Sequence, residues 1–320
     1  MLFPLLHFVA LTGGIFVGDR LKKDVQHWLS PPNPSTNQNF VRKARHAGTA
    51  AWFFESSALA EWKSKGSLLW IHGKRTSFRV PYSNFYSNAS VDRTAGAGKS
   101  TLLYVMVLYV RRRLFIAPVR SAIIQDVERM RTAGLATMAY YYFDFRDVKK
   151  QDCYGLLSSL ASQLSAESDS CYNILSQLYS DNMNGTREPD IDSLKECLKD
   201  MLNLPGQDPT YIIVDALDEC PNSSGTPSAR EDVLELIEEL VGLELPNVHL
   251  CVASRPEMDI RVILDPLTTL KISLHDETGQ KEDIVKYIKS VVYSDRNMRR
   301  WKEEDRQLVV VTLSDKADGM

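Results

Sequence analysis

The residues best suited to chemistry in this chain are Ala95, Gly96, Ala97, Gly98, Lys99, Ser100 and Thr101. They form most of a phosphate-binding P-loop, G-x-x-x-x-G-K-[ST], whose first glycine stands six residues before the lysine. Glycines let successive N–H groups turn together toward an anion where a side chain would collide with it. Gly98 precedes a helix whose N-terminus adds partial positive charge. Lys99 has the reach for β- and γ-phosphates, and the Ser100 hydroxyl suits Mg²⁺. The first glycine is missing, because Arg93 holds its place. Upstream, Gly73 and Lys74 close an apolar run, Leu68, Leu69, Trp70, Ile71 and His72. Omitting residues 75–94 joins that run through Gly73, Lys74 and Ala95 to a complete P-loop.

A second run, Tyr211, Ile212, Ile213 and Val214, ends in Asp215, with Asp218 and Glu219 one short turn later. Apolar residues bury such a strand and leave Asp215 at its carboxyl end, the pattern called Walker B, where a carboxylate holds Mg²⁺ directly or through water. Asp218 or Glu219 is then placed to orient an attacking water. A third run, 248–253, ends in Ser254, Arg255 and Pro256. Proline stops the strand, and Arg255 is expected near a γ-phosphate. Each of the three also has a plain structural explanation: a small-residue loop, a solvated acidic turn and a surface arginine at a strand end. Their order along one chain favours the phosphate reading.

Elements able to position these residues alternate along the chain. Helices are expected over 49–65, 153–164, 171–179, 192–202, from 229 to Gly242, over 279–292 and near 301–313. Gly66 suits the end of the first, and Ser228 with Glu231 makes a capping box for the helix at 229. Strands are expected over 68–72, 138–143, 211–214, 248–253 and 270–274. Continuous apolar strands separated by helices argue an α/β fold, a mostly parallel five-stranded sheet flanked by helices. Residues 1–37 form a leader with a helical lead-in and a Pro- and Ser-rich linker; 38–320 form the NTPase-like domain.

Composition narrows the function classes. The chain has 320 residues and a net charge of −3, which gives no electrostatic footprint for nucleic acid. Five cysteines lie scattered without C-x-x-C pairing, which fits a reducing, cytoplasmic setting better than disulfides or zinc. The apolar segment 2–17 is shorter than the roughly 20 residues of a spanning helix, and no membrane partner is expected.

With the three motifs in order, the chain resembles the NACHT class of signal-transducing P-loop NTPases, within the STAND group. It is most similar to large fungal NACHT proteins, whose core is also described as a nephrocystin-3-like N-terminal domain. The resemblance is carried by Gly48-Thr49-Ala50-Ala51-Trp52-Phe53, Trp62, the run 69–74, residues 95–101, YYYFDFRD at 140–147, DALDEC at 215–220, Ser254-Arg255-Pro256-Glu257 and Lys316-Ala317-Asp318-Gly319-Met320. It implies a switch that binds ATP or GTP with Mg²⁺ and at most hydrolyses it slowly. It also implies self-association in the triphosphate state, and a role in non-self recognition or cell death. It further implies a continuation into helices and then repeats, so the downstream repeat domains are expected to be missing from this chain. Two other function classes stay open: a scaffold that no longer binds nucleotide, and a metabolic P-loop kinase, for which no acceptor pocket is evident.

Two stretches depart from the family pattern, 75–94 and 104–120. The second places Arg111, Arg112, Arg113 and Pro118 where the helix after the P-loop should run. Without it, Leu102, Leu103, Ile123, Ile124, Val127 and Met130 share one helical face. Both read as introns translated in frame. Closing a loop of that length costs only about 2.7 kcal/mol plus a constant, so a looped-out first insert is physically tolerable. Excising both stretches is expected to turn weak nucleotide binding into micromolar binding of ATP or GTP with Mg²⁺. Calorimetry on the two forms checks this, and equal affinity would refute it.

Overall fold

The computed structural model describes residues 21–33, 56–73, 117–222, 227–268, 270–273, 278–295 and 298–318. The helices are α1 (21–29), α2 (Ser57–Lys65), α3 (Ala117–Thr132), α4 (Cys153–Glu167), α5 (Asp169–Asp181), α6 (Ile191–Leu202), α7 (Ala229–Gly242), α8 (Met258–Leu267), α9 (Thr278–Ser294) and α10 (Glu303–Asp318). The strands are β1 (Ser67–His72), β2 (Thr137–Tyr142), β3 (Thr210–Asp215), β4 (Val248–Ser254) and β5 (Leu270–Ser273). They form one five-stranded sheet in the order β2-β3-β4-β1-β5. Every pairing is parallel.

The central strands β1, β3 and β4 are buried along nearly their whole length because both faces of the sheet are covered. Alternate residues divide between two cores. On one face Leu68, Trp70, Ala139, Tyr141, Ile212, Val214, Leu250 and Val252 pack under α4 to α8. On the other Leu69, Ile71, Met138, Tyr142, Tyr211, Ile213, Cys251 and Ala253 pack under α2 and α3. Helices on opposite faces follow from right-handed crossovers that run in opposite directions along the sheet. The chain leaves β1 toward the β2 edge, then returns strand by strand and passes over β1 to reach β5.

Local chemistry sets the helix ends. Ser56, Asp152, Ser168, Asp190 and Ser228 each cap a helix by accepting from a backbone N–H in the first turn, and Ser228 with Glu231 completes the capping box. Gly66 closes α2 at φ 63°, where a Cβ would meet the Pro246 carbonyl oxygen at 2.5 Å. Trp62 then anchors α2 to the sheet, its Nε1 donating to the carbonyls of Ser67 (3.1 Å) and Leu250 (3.2 Å). His249 completes this anchor. Its Nδ1 lies 2.9 Å from the Trp62 carbonyl, its ring stacks on Tyr211 at 4.4 Å, and burial lowers its basicity.

Residues 99–116, where the helix after the P-loop should begin, lie outside the described residues. Beyond them α3 runs from Ala117, with Ile123, Ile124 and Val127 buried as the expected apolar face requires. Two features differ from the sequence expectations. The helix α8 went unread because Pro256 and Pro266 bracket it; Pro266 sits in its last turn. Part of the leader is folded onto the body: Val25 and Leu29 of α1 belong to the core, and Trp28 Nε1 donates to the Arg187 carbonyl at 2.7 Å. Segment 2–17 and residues 48–53 lie outside the described residues. Among the described residues no helix is long and apolar enough to cross a membrane.

All five cysteines are free and buried. Burial pushes the thiols of Cys153, Cys197 and Cys220 up to about 12, and those of Cys171 and Cys251 upward as well. Since the thiolate is the reactive form, the native protein should leave a bulky aromatic disulfide reagent unreacted, while denaturation releases five titratable thiols. A fast stoichiometric reaction in the native state would contradict this packing.

Candidate functional site

In an open parallel sheet, ligands bind outside the carboxyl ends of the strands, where successive connections depart in opposite directions. Here that place lies between β1 and β4. Because the strands are parallel, the segments after β1, β2, β3 and β4 emerge along the same edge. His72 at the end of β1 is in register with Ser254 at the end of β4, and Tyr142 of β2 with Asp215 of β3. Trp70 Nε1 donates to Ser254 Oγ at 2.9 Å and ties the ends of β1 and β4 together. Gly73 leaves β1 buried. The remaining P-loop residues, Lys74, Ala95, Gly96, Ala97, Gly98, Lys99, Ser100 and Thr101, lie outside the described residues.

Asp215 is buried, with 1% of its surface exposed, at the last position of β3. One strand, β4, separates β3 from β1, so Asp215 stands about 10 Å across the sheet from the end of β1. The chain that leaves β4 at Arg255 emerges between them. Among the described residues no three His, Cys, Asp or Glu side chains gather closely enough to hold a metal. A single buried carboxylate still fits Mg²⁺, which takes one or two protein oxygens and keeps the rest for phosphate and water.

The chain after Asp215 turns sharply. Ala216 adopts the left-handed conformation, φ 55° and ψ 42°, and leads into a single 3-10 turn, Leu217–Glu219. A non-glycine residue is strained there by roughly 1 kcal/mol or more. The turn points the next two acids different ways. Asp218, with a side chain only 7% exposed, meets Arg255 twice: Oδ1 accepts from the Arg255 backbone N–H at 3.0 Å, and Oδ2 lies 3.2 Å from Nε. Among the described residues Glu219 accepts one long bond, 3.4 Å, from the Phe145 amide. Burial raises the Glu219 carboxyl above its ordinary range; the Phe145 amide opposes this, and the neighbouring Asp218, Asp144 and Asp215 carboxylates add to the rise.

The loop after β2 closes one side. Asp144 is buried and binds Arg146 bidentately, at 2.8 Å to Nε and 2.7 Å to Nη2. Arg146 holds the Asp144 carboxyl below its usual range. This accounts for the FDFRD part of the aromatic segment: the two charges lock the loop that presents the Phe145 amide to Glu219.

Arg230 is the residue that sequence reasoning missed. It lies in the first turn of α7 and is 5% exposed. Its Nε donates to the Cys220 carbonyl at 2.9 Å and Nη2 to the Asp218 carbonyl at 2.8 Å, while Nη1 meets Glu257 at 2.7 Å and Asp259 at 3.0 Å. One guanidinium thus joins the turn after β3 to the start of α8 after β4. A signal was present: a cation in the first turn of a helix opposes the helix dipole and needs another reason to be there.

The Nephrocystin 3, N-terminal family model matches residues 89–255, a little over half of the 320 residues, and the chain belongs to that family. The matched segment includes β2, β3 and β4 and closes on Arg255. The sheet extends beyond it to β1 and β5. None of the curated proteins matches the chain.

Replacing Arg230 leaves two buried carbonyls and two carboxylates without their shared cation. Arg230→Ala should destabilise the fold by about 2–4 kcal/mol, whereas Arg146→Ala, on a more exposed pair, should cost under about 1 kcal/mol. Urea unfolding of both variants measures the difference, and equal losses would contradict the joining role.

Proposed function

We propose that this member of the nephrocystin 3 N-terminal family is the nucleotide-binding switch domain of a NACHT-type signalling protein. The observation that carries the reading is the shared edge: the end of β1 at Gly73, Asp215 at the end of β3 and Arg255 after β4 all stand along one edge of a parallel sheet, at or beside its reversal point. In this reading the P-loop, with Gly96, Gly98 and Lys99, wraps the phosphates of ATP or GTP. Asp215 and Ser100 hold Mg²⁺, which neutralises charge on the β- and γ-phosphate oxygens. Arg255 faces the terminal phosphate.

Glu219 is the better candidate for the water-orienting acid. Its carboxylate has no ion-pair partner among the described residues, and its raised proton affinity suits a base working near neutral pH. Asp218 has both oxygens committed to Arg255. Hydrolysis at such a site resets the switch and is expected to be slow. The triphosphate form is the one proposed to self-associate, in the service of non-self recognition or cell-death signalling from a cytoplasmic location.

A second reading rests on one specific feature, the twenty residues that separate Gly73 from Ala95. If they keep the P-loop open, the domain is a scaffold without nucleotide. Lys99→Ala and Glu219→Gln decide between them. The switch reading expects Lys99→Ala to weaken Mg-nucleotide binding at least tenfold. It expects Glu219→Gln to bind within about twofold of the parent and to lose about a hundredfold in hydrolysis. Unchanged binding and melting temperature in Lys99→Ala would establish the scaffold instead.

A further inference from the structure

We infer that Asp218 is a positioning residue that aims Arg255 at the terminal phosphate, and so sets how well the site tells a nucleoside triphosphate from a diphosphate. The inference rests on the nucleotide-binding reading and assigns a division of labour within it.

The geometry is a two-point clamp. One carboxylate holds the main chain of Arg255 at N (3.0 Å, Oδ1) and its side chain at Nε (3.2 Å, Oδ2). Fixing both ends of the residue's flexible stem removes most of the rotamer freedom that an arginine loses on engaging a ligand. The clamp leaves the distal nitrogens available. Among the described residues Nη1 and Nη2 of Arg255 have no hydrogen-bond partner, and the side chain remains 43% exposed. An Nη pair presented in this way matches the geometry of a phosphoryl group.

Asp218 is itself held. Its side chain is 7% exposed, its carbonyl accepts from Arg230 Nη2 at 2.8 Å, and Arg230 is braced on Glu257 and Asp259 of the β4–α8 segment. A carboxylate whose two oxygens already serve an arginine is a poor base for water, which distinguishes it from Glu219 one residue later.

The test uses calorimetric titration of the full chain with MgATPγS and MgADP, and with their guanine counterparts in parallel. The variants are Asp218→Ala, Asp218→Asn, Arg255→Ala and the double alanine variant. The quantity read is the ratio of the diphosphate to the triphosphate dissociation constant. Arg255→Ala should lower that ratio about tenfold. Asp218→Ala should reproduce most of that loss while leaving MgADP affinity within twofold, and the double variant should fall no further than Arg255→Ala. Asp218→Asn keeps the shape of the side chain and should fall between. If Asp218→Ala does not fold by circular dichroism, Asp218→Asn carries the test alone. A parental ratio in both Asp218 variants overturns the inference, as does additivity in the double variant or an equal loss of diphosphate affinity. A parental chain that binds neither nucleotide overturns the nucleotide reading and this inference with it.

Discussion

The candidate site depends on one buried guanidinium. Loops from two neighbouring strands must be held in register at the edge of the sheet, and backbone pairing stops before it reaches them. Arg230 supplies the missing connection, with two donors to the carbonyls of the β3 loop and one to the two carboxylates that open α8. A charge this buried is tolerable only with such a set of partners. That requirement makes the arrangement specific, because moving either loop would strand a charge or a carbonyl. The cation is unfavourable for the start of α7, so local helix energetics are given up for the geometry of the neighbouring loops.

The sheet order turns this local device into a site. With β4 between β1 and β3, the Arg255 loop lies between the chain segment that leads to the P-loop and the carboxylate Asp215. Arg255, Asp218 and Asp215 therefore do not stand as separate motifs. Asp218 belongs to the β3 turn by sequence and to the β4 loop by contact. The Asp144–Arg146 pair does the same work on the β2 side, where it fixes the loop whose amide reaches Glu219. Each of the two acids in the turn is thereby given a different neighbour, and with it a different chemistry.

Much of the scaffold was legible in the sequence because its signals are local. Apolar runs of four to six residues marked four of the strands and the alternating segment 270–274 the fifth, and Gly66 and the Ser228–Glu231 capping box marked helix ends through their own backbone chemistry. The helix α8 was not legible, since two prolines near its ends outweigh its single apolar face. The roles of Asp218 and Arg230 were illegible in a stronger sense. Each arises from contact between segments 12 to 37 residues apart, and no spacing rule reveals which of two adjacent acids meets the arginine of the next strand.

The central claim is that the P-loop, the β3 turn and the β4 loop form a single phosphate site. Hydrogen–deuterium exchange of the full chain, with and without saturating Mg-triphosphate, addresses it most directly. The account predicts slowed exchange in three separate segments at once: 95–101, 215–219 and 254–257. Slowing in the first alone, or no change in any of them, would contradict it.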